Sequence, residues 1–117
     1  MNKRFVRSFV RTYKIKSKPM RDRIDCLVDF INFIAKYERQ YEIIGASYDS
    51  QFDLLTVELI RSPNIVYDVN NGDILKDFIV HLMSYFGLSF DSCSYGLITT
   101  ATNEKKRQFT VGLIEDR

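Results

Sequence analysis

The sequence predicts an α+β fold in which a βαββ unit is duplicated, with an antiparallel-rich sheet and two helices packed on one face of it. Three observations lead to this prediction: an internal repeat, an apolar pattern of helical spacing in each copy, and an alternating pattern after each helix. Because these patterns account for most of the 117 residues, we expect one domain that spans residues 1–117.

The internal repeat is clearest in two segments of helical pattern. Asp25–Tyr37 aligns with Asp73–Tyr85, and six of the thirteen aligned positions are identical. Downstream, Thr56–Ile60 matches Thr110–Ile114 at four of five positions. The offset between the copies grows from 48 to 54 residues, so the second copy carries six more residues before its last strand. A repeat of this kind constrains the architecture and says little about activity.

The first αββ unit is predicted over residues 19–61. A helix from about Pro19 to Arg39 follows from apolar residues at helical spacing, and Ser17 to Pro19 resembles a cap with proline in the first turn. Two strands, Tyr41–Tyr48 and Phe52–Ile60, come next. The short polar segment between them is typical of a hairpin turn.

The second unit, a complete βαββ, is predicted over residues 64–114. It begins with a short strand candidate, Ile65–Val69, and continues with a helix over Asp73–Phe86 that Gly87 is placed to end. A hairpin closes the unit by pairing Ser92–Ala101 with Gln108–Ile114. The residues between these strands, 102–107, are expected to form the turn.

Residues 1–18 are predicted to be a basic arm or leading strand. Over residues 3–14, apolar and basic side chains fall on opposite sides of a helical wheel, which is compatible with an amphipathic helix. Over Arg11–Lys16, however, Tyr13 and Ile15 alternate with charged residues, which is typical of a strand. We favour a strand that ends near Lys16, because it would complete the first βαββ unit.

The net charge of +2 hides a strong asymmetry along the chain. Residues 1–23 contain nine basic side chains and a single acidic one, Asp22, for a net charge of +8. The remaining 94 residues carry a net charge of −6. A basic segment joined to an acidic body points to an interaction surface at the start of the chain.

The sequence contains no catalytic or cofactor-binding motif of recognisable spacing. The single histidine, His81, forms a stripe at helical spacing with Asp77 and Tyr85, but the equivalent position in the first copy is Phe33. A stripe that persists without its histidine is better explained by packing. We therefore expect no enzyme, no catalytic residue and no cofactor.

Two pairs of carboxylates are spaced four residues apart, one pair at the start of each predicted helix. Asp25 with Asp29 and Asp73 with Asp77 could hold a cation, but acidic groups in a first helical turn also interact favourably with the helix dipole. Arg21 is placed to pair with Asp25 across one turn. The helix-dipole interpretation is the simpler one, so no metal ligands are expected.

The function expected from the sequence is non-enzymatic association with nucleic acid, through contact with RNA or a ribonucleoprotein. Several Lys and Arg side chains on one exposed surface can neutralise phosphates, and interleaved aromatic rings can stack on unpaired bases. The stacking candidates are Phe5, Phe9 and Tyr13. The predicted nucleic-acid-binding residues are Lys3, Arg4, Arg7, Arg11, Lys14, Lys16, Lys18, Lys105, Lys106 and Arg107.

The alternative is a small protein-binding adaptor or inhibitor that acts through its sheet face or its acidic helix surface. Homodimerisation is a further option for a fold with internal symmetry. No stretch is apolar enough for a membrane span, and Cys26 and Cys93 are expected to be reduced thiols, so the expected location is cytoplasmic. The alternative location is mitochondrial, because the arm resembles a presequence in composition.

Overall fold

The computed structural model of the chain describes residues 3–37, 43–59, 69–99, 101–102 and 105–115. Within these residues the fold is α+β, with three α-helices and a four-stranded antiparallel sheet. The helices are α1 (Lys3–Thr12), α2 (Met20–Ile34) and α3 (Val69–Tyr85). The strands, which lie in the sheet order β1-β2-β4-β3, are β1 (Ile43–Asp49), β2 (Leu54–Leu59), β3 (Leu88–Thr99) and β4 (Lys105–Glu115).

The core lies between the helices and one face of the sheet. Helix α2 packs mainly against β1, and α3 packs mainly against β3. In the two central strands every second side chain is buried, as expected for a sheet that is covered on one face. The buried apolar residues of these strands are Leu55, Val57, Leu59, Phe109, Val111 and Leu113.

The prediction of a leading strand over Arg11–Lys16 is wrong. The chain is helical as far as Thr12, Lys14 adopts the left-handed conformation with φ 51° and ψ 45°, and residues Ile15–Ser17 form a single 3-10 turn. The helix is explained by Val6, Phe9 and Val10, which all pack against the body of the protein at spacings of three and four residues. In a strand the adjacent residues Phe9 and Val10 would face opposite sides.

The duplicated βαββ unit is not confirmed. Its first leading strand is replaced by α1, and residues 65–68 of the second leading strand lie outside the described residues, while Val69 already belongs to α3. The predicted αββ order does occur twice, as α2-β1-β2 and α3-β3-β4. Thr56 and Thr110, which begin the two matching pentapeptides, are direct partners across the central β2/β4 pair.

Several predicted boundaries shift by a few residues. Helix α2 ends at Ile34 instead of near Arg39, while Gly87, at φ +69°, follows the end of α3 as predicted. The last hairpin is longer than expected, because Leu97 and Thr99 pair with Arg107 and Lys105. The prediction that residues 105–107 form a turn is therefore wrong, since they begin strand β4.

Asn32 of α2 acts as a substitute partner for the edge strand β1. Its amide nitrogen donates to the carbonyl oxygen of Ala46 at 3.1 Å, and its amide oxygen accepts from the Ala46 backbone N–H at 2.8 Å. Edge strands expose unpaired backbone groups, and this side chain satisfies two of them. The contact depends on Gly45, because a Cβ atom there would lie 2.8 Å from the Asn32 side-chain oxygen.

We therefore expect Gly45→Ala to lower the free energy of unfolding by about 1–2 kcal/mol, as Asn32 must move and its hydrogen bonds weaken. Urea denaturation followed by circular dichroism measures the change. Gly96→Ala is the matched control, because a Cβ atom at Gly96 meets nothing within 4 Å. Equal stability of the two variants would contradict the role given to Asn32.

Candidate nucleic-acid interface

Helix α1 presents three distinct sides. Val6 and Val10 are buried and attach the helix to the body of the protein. On either side of this attachment, the surface of the protein forms a groove. One groove is lined by basic side chains and the other by aromatic rings, so the helix separates two chemically different surfaces.

The basic groove lies between α1, the 3-10 turn and the end of α3, and has a volume of about 500 Å³. Four of its lining residues are arginine or lysine. The lining consists of Arg7, Val10, Arg11, Lys14, Lys16, Ser17 and Tyr85. This set brings together side chains from two parts of the chain that are distant in sequence.

The turn after α1 places the last two cations in the basic groove. Lys14 is in the left-handed conformation, which is uncommon for a residue other than glycine. The Ser17 hydroxyl donates to the Lys14 carbonyl at 2.7 Å, and the Lys18 N–H donates to the Ile15 carbonyl at 3.0 Å. Ile15 is buried beneath this turn, so Lys14 and Lys16 are held on a supported segment.

Within the described part of the chain, no carboxylate forms an ion pair with the four groove cations. All four side chains are exposed. Tyr85 is half-buried at one side of the groove, and the guanidinium carbon of Arg7 lies 5.8 Å from the centre of its ring. The groove therefore combines uncompensated positive charge with an aromatic ring, a combination that suits a phosphate attached to a planar group.

The other predicted nucleic-acid-binding residues do not line the basic groove among the described residues. Lys3, Arg4 and Lys18 lie outside the basic groove, and the side chains of Lys105 and Lys106 lie outside the described residues. Arg107 is only 5% exposed and its guanidinium donates to the Tyr95 hydroxyl at 3.5 Å. Its expected place on an exposed basic surface is wrong, because strand alternation turns it toward the core with Phe109.

The three stacking candidates line the second groove and not the first. This aromatic groove lies between α1 and α2 and has a volume of about 510 Å³. Phe9 packs against Phe30, with ring centres 5.0 Å apart, whereas Phe5 and Tyr13 are 46% and 59% exposed. The complete lining consists of Phe5, Ser8, Phe9, Thr12, Tyr13, Asp29, Phe30 and Phe33.

The groups considered for catalysis are not assembled into a reactive arrangement within the described residues. His81 is exposed, and its Nδ1 donates to the main-chain carbonyl of Asp77 at 3.1 Å instead of meeting a carboxylate. Burial raises the pKa of the Cys26 thiol, which keeps it protonated at neutral pH. No three His, Cys, Asp or Glu side chains of the described residues form a group that could hold a metal ion.

The predicted pairing of Arg21 with Asp25 is confirmed, at 3.3 Å between Nε and Oδ1.

Two contributions to the grooves were missed by sequence reasoning: Tyr85 in the basic groove, and Phe33 with Asp29 in the aromatic groove. For Tyr85 no local signal exists, because its neighbours in the groove are more than sixty residues away in sequence. For Phe33 the sequence did contain a signal. Phe33 is an aromatic residue at the position that the polar His81 occupies in the second copy of the repeat.

No protein-family model, curated protein or solved structure matches this chain. The fold and the two grooves therefore define the class of protein on their own: a small α+β protein that carries a basic groove on its first helix. None of the helices among the described residues has the length and apolar character needed to cross a membrane.

Proposed function

We propose that this protein binds nucleic acid, with RNA as the preferred class, and that the basic groove is the contact surface. The observation that carries the proposal is the convergence of four cationic side chains, unpaired among the described residues, on one concave surface. Association with a polyanion releases condensed counterions, and this release is the main driving force of such binding.

The proposal gives each part of the groove a role. Arg7 and Arg11 come from successive turns of α1 and can contact adjacent phosphates, while Lys14 and Lys16 extend the positive surface along the turn. Tyr85 offers a ring on which an unpaired base can stack. Because a stacking platform is useful only for a base that is free of its partner, we infer a preference for single strands over duplexes.

The acidic body of the protein supports a local contact surface. Beyond residue 23 the chain carries a net charge of −6, so a long nucleic acid is repelled from most of the surface and attracted to the basic groove. A cytoplasmic location goes with this proposal. It agrees with Cys26 and Cys93, which are free thiols in the structure.

The test is fluorescence anisotropy with labelled single-stranded RNA, repeated over a range of salt concentrations. Each of the four groove cations is expected to neutralise one phosphate. A plot of the logarithm of the binding constant against the logarithm of the salt concentration should then have a slope of about −3. The triple variant Arg7→Ser, Arg11→Ser, Lys14→Asn should reduce this slope to about −1. Asparagine is chosen at residue 14 because it tolerates the left-handed conformation.

The matched control removes three positive charges away from the groove, through Arg21→Ser, Lys36→Ser and Lys76→Ser. It changes the net charge by the same amount and should keep nearly the full slope, because none of these residues lines the basic groove. Equal slopes for the groove variant and the control would show that general charge, and not the groove, determines binding. Absence of binding at about 50 mM salt would refute the proposal itself.

A protein-binding adaptor is the second candidate, and the outer face of the sheet favours it. Ser47, Thr56, Thr110 and Ser94 form one row across all four strands on the face opposite the core. Ser94 and Thr110 share a hydrogen bond of 2.8 Å, and Ser94 is exposed. If RNA binding fails, the protein-binding hypothesis is tested with Thr56→Arg. This variant should lose a captured protein partner or a homodimer.

A further inference from the structure

The aromatic groove has a chemistry of its own, which the proposed contact with nucleic acid does not use. Its floor is formed by Phe9 and Phe30, whose ring centres are 5.0 Å apart, and Phe30 is itself buried. Its walls carry large apolar side chains that remain accessible, since Phe5 is 46% exposed and Phe33 is 50% exposed. A volume of about 510 Å³ lies within the range of small-molecule sites.

Among the described residues, Asp29 is the only charged side chain that lines this groove. It is exposed, and no basic side chain of the described residues forms an ion pair with it. The other polar groups of the lining are the neutral hydroxyls of Ser8, Thr12 and Tyr13. The described lining therefore carries one negative charge and no positive one, although the groove borders the most basic segment of the chain.

The absence of basic side chains from the described lining of the aromatic groove follows from the arrangement of residues around α1. Arg7 and Arg11 line the basic groove on the far side of the helix, so their charges are directed away from the aromatic rings. Aromatic faces attract cations through their quadrupoles, and a carboxylate adds a full opposite charge. The same carboxylate repels a phosphate, which makes a nucleotide a poor occupant of this groove.

We propose that the aromatic groove binds an alkylated ammonium group, such as a quaternary amine or the head of a methylated lysine side chain. Phe5, Tyr13 and Phe33 supply ring surfaces for the methyl groups, and Asp29 supplies the counter-charge. An alkylated ammonium suits this lining better than a plain ammonium, because it is weakly hydrated and its methyl groups bury apolar surface against the rings. The site does not depend on the basic groove, so either proposal can fail alone.

The test is a titration of the isotopically labelled full chain, followed by NMR of the aromatic and methyl signals. Choline is the free small-molecule probe, and N-acetyl-trimethyllysine amide represents a side chain. We expect shifts at Phe5, Tyr13 and Phe33 with either probe, and the probe with the lower dissociation constant identifies the source. The neutral isostere 3,3-dimethyl-1-butanol, which replaces the nitrogen with carbon, should bind about tenfold more weakly.

Two variants separate charge from ring contacts. Asp29→Asn should weaken binding of choline about tenfold and leave binding of the neutral isostere unchanged. Phe33→Leu should weaken both probes, and because Phe33 is half exposed the fold should be preserved, as circular dichroism can verify. Equal binding of choline and its isostere, shifts that map to Tyr85 in place of Phe33, or no shift at about 50 mM probe would each overturn the proposal.

Discussion

Replacing Arg23 with methionine is expected to lower the free energy of unfolding by about 3 kcal/mol. Arg23 is only 7% exposed, which is rare for a charged residue. Its Nε donates to the carbonyl of Lys18 at 3.0 Å, and its Nη1 donates to the carbonyl of Gly87 at 2.5 Å. Methionine has a similar length and no donor, so both carbonyls lose a charge-assisted hydrogen bond.

The size of the effect follows from what Arg23 connects. The Lys18 carbonyl lies just before α2, and the Gly87 carbonyl lies just after α3. One guanidinium therefore holds the start of one helix to the end of another, across 64 residues of sequence. Both hydrogen bonds are partly buried, and a hydrogen bond to a charged group contributes about 1.5–3 kcal/mol.

Arg21→Met is the matched control, because it removes the same chemical group from the same helix. The side chain of Arg21 is 57% exposed and pairs with Asp25 on the helix surface, an arrangement that contributes about 0.5 kcal/mol or less. Urea denaturation of both variants should separate them by at least about 2 kcal/mol. Similar midpoints would show that the hydrogen bonds of Arg23 are not a major source of stability.

Arg21 and Arg23 also show that the sequence predicts the charge of a residue but not its burial. Both were counted as part of one basic segment, because charge is visible in the sequence and burial of a single charge is not. One partner of Arg23 is the carbonyl of Gly87, which no local pattern associates with residue 23. Helices α2 and α3 and the two hairpins, by contrast, depend on periodicity within about ten residues, and their existence and order were predicted correctly, whereas the segment that forms α1 was predicted to be a strand.

The error at the start of the chain arose from two different patterns in neighbouring residues. Tyr13 and Ile15 alternate with charges, as in a strand, while Val6 and Val10 recur at helical spacing. Burial decides against the strand: Tyr13 and Ile15 would share one face of a strand, but Tyr13 is 59% exposed and Ile15 is 1% exposed. Period alone could not reveal which of these apolar residues faces the core.

For the candidate site, residue type was predictable and grouping was not. Arg7, Arg11, Lys14 and Lys16 were expected on a phosphate-binding surface, and the structure places all four in one groove. The aromatic residues of the same segment were expected to serve that surface, but they line a different groove. Arg107 did carry a usable signal, because it has the same strand parity as Phe109, Val111 and Leu113.

Whether α1 is a docked helix or a mobile basic arm has a direct test in Val6→Asp. Val6 is 1% exposed, so the change removes buried apolar surface and forces a carboxylate into the core unless the helix detaches. We expect a loss of about 3 kcal/mol or more of stability in urea denaturation. Detachment of α1 should also expose Arg7 and Arg11 to rapid cleavage by trypsin under native conditions.

Ser8→Asp is the control for this change, since it adds the same charge to the same helix at an exposed position. It should leave the free energy of unfolding nearly unchanged. It should weaken RNA binding only by the small amount that one added negative charge causes. Val6→Asp should weaken RNA binding much further, because a detached α1 no longer holds Arg7 beside Tyr85. If Val6→Asp is cleaved rapidly by trypsin but still binds RNA as tightly as Ser8→Asp, the groove is not the binding surface, and the basic segment acts as a flexible arm.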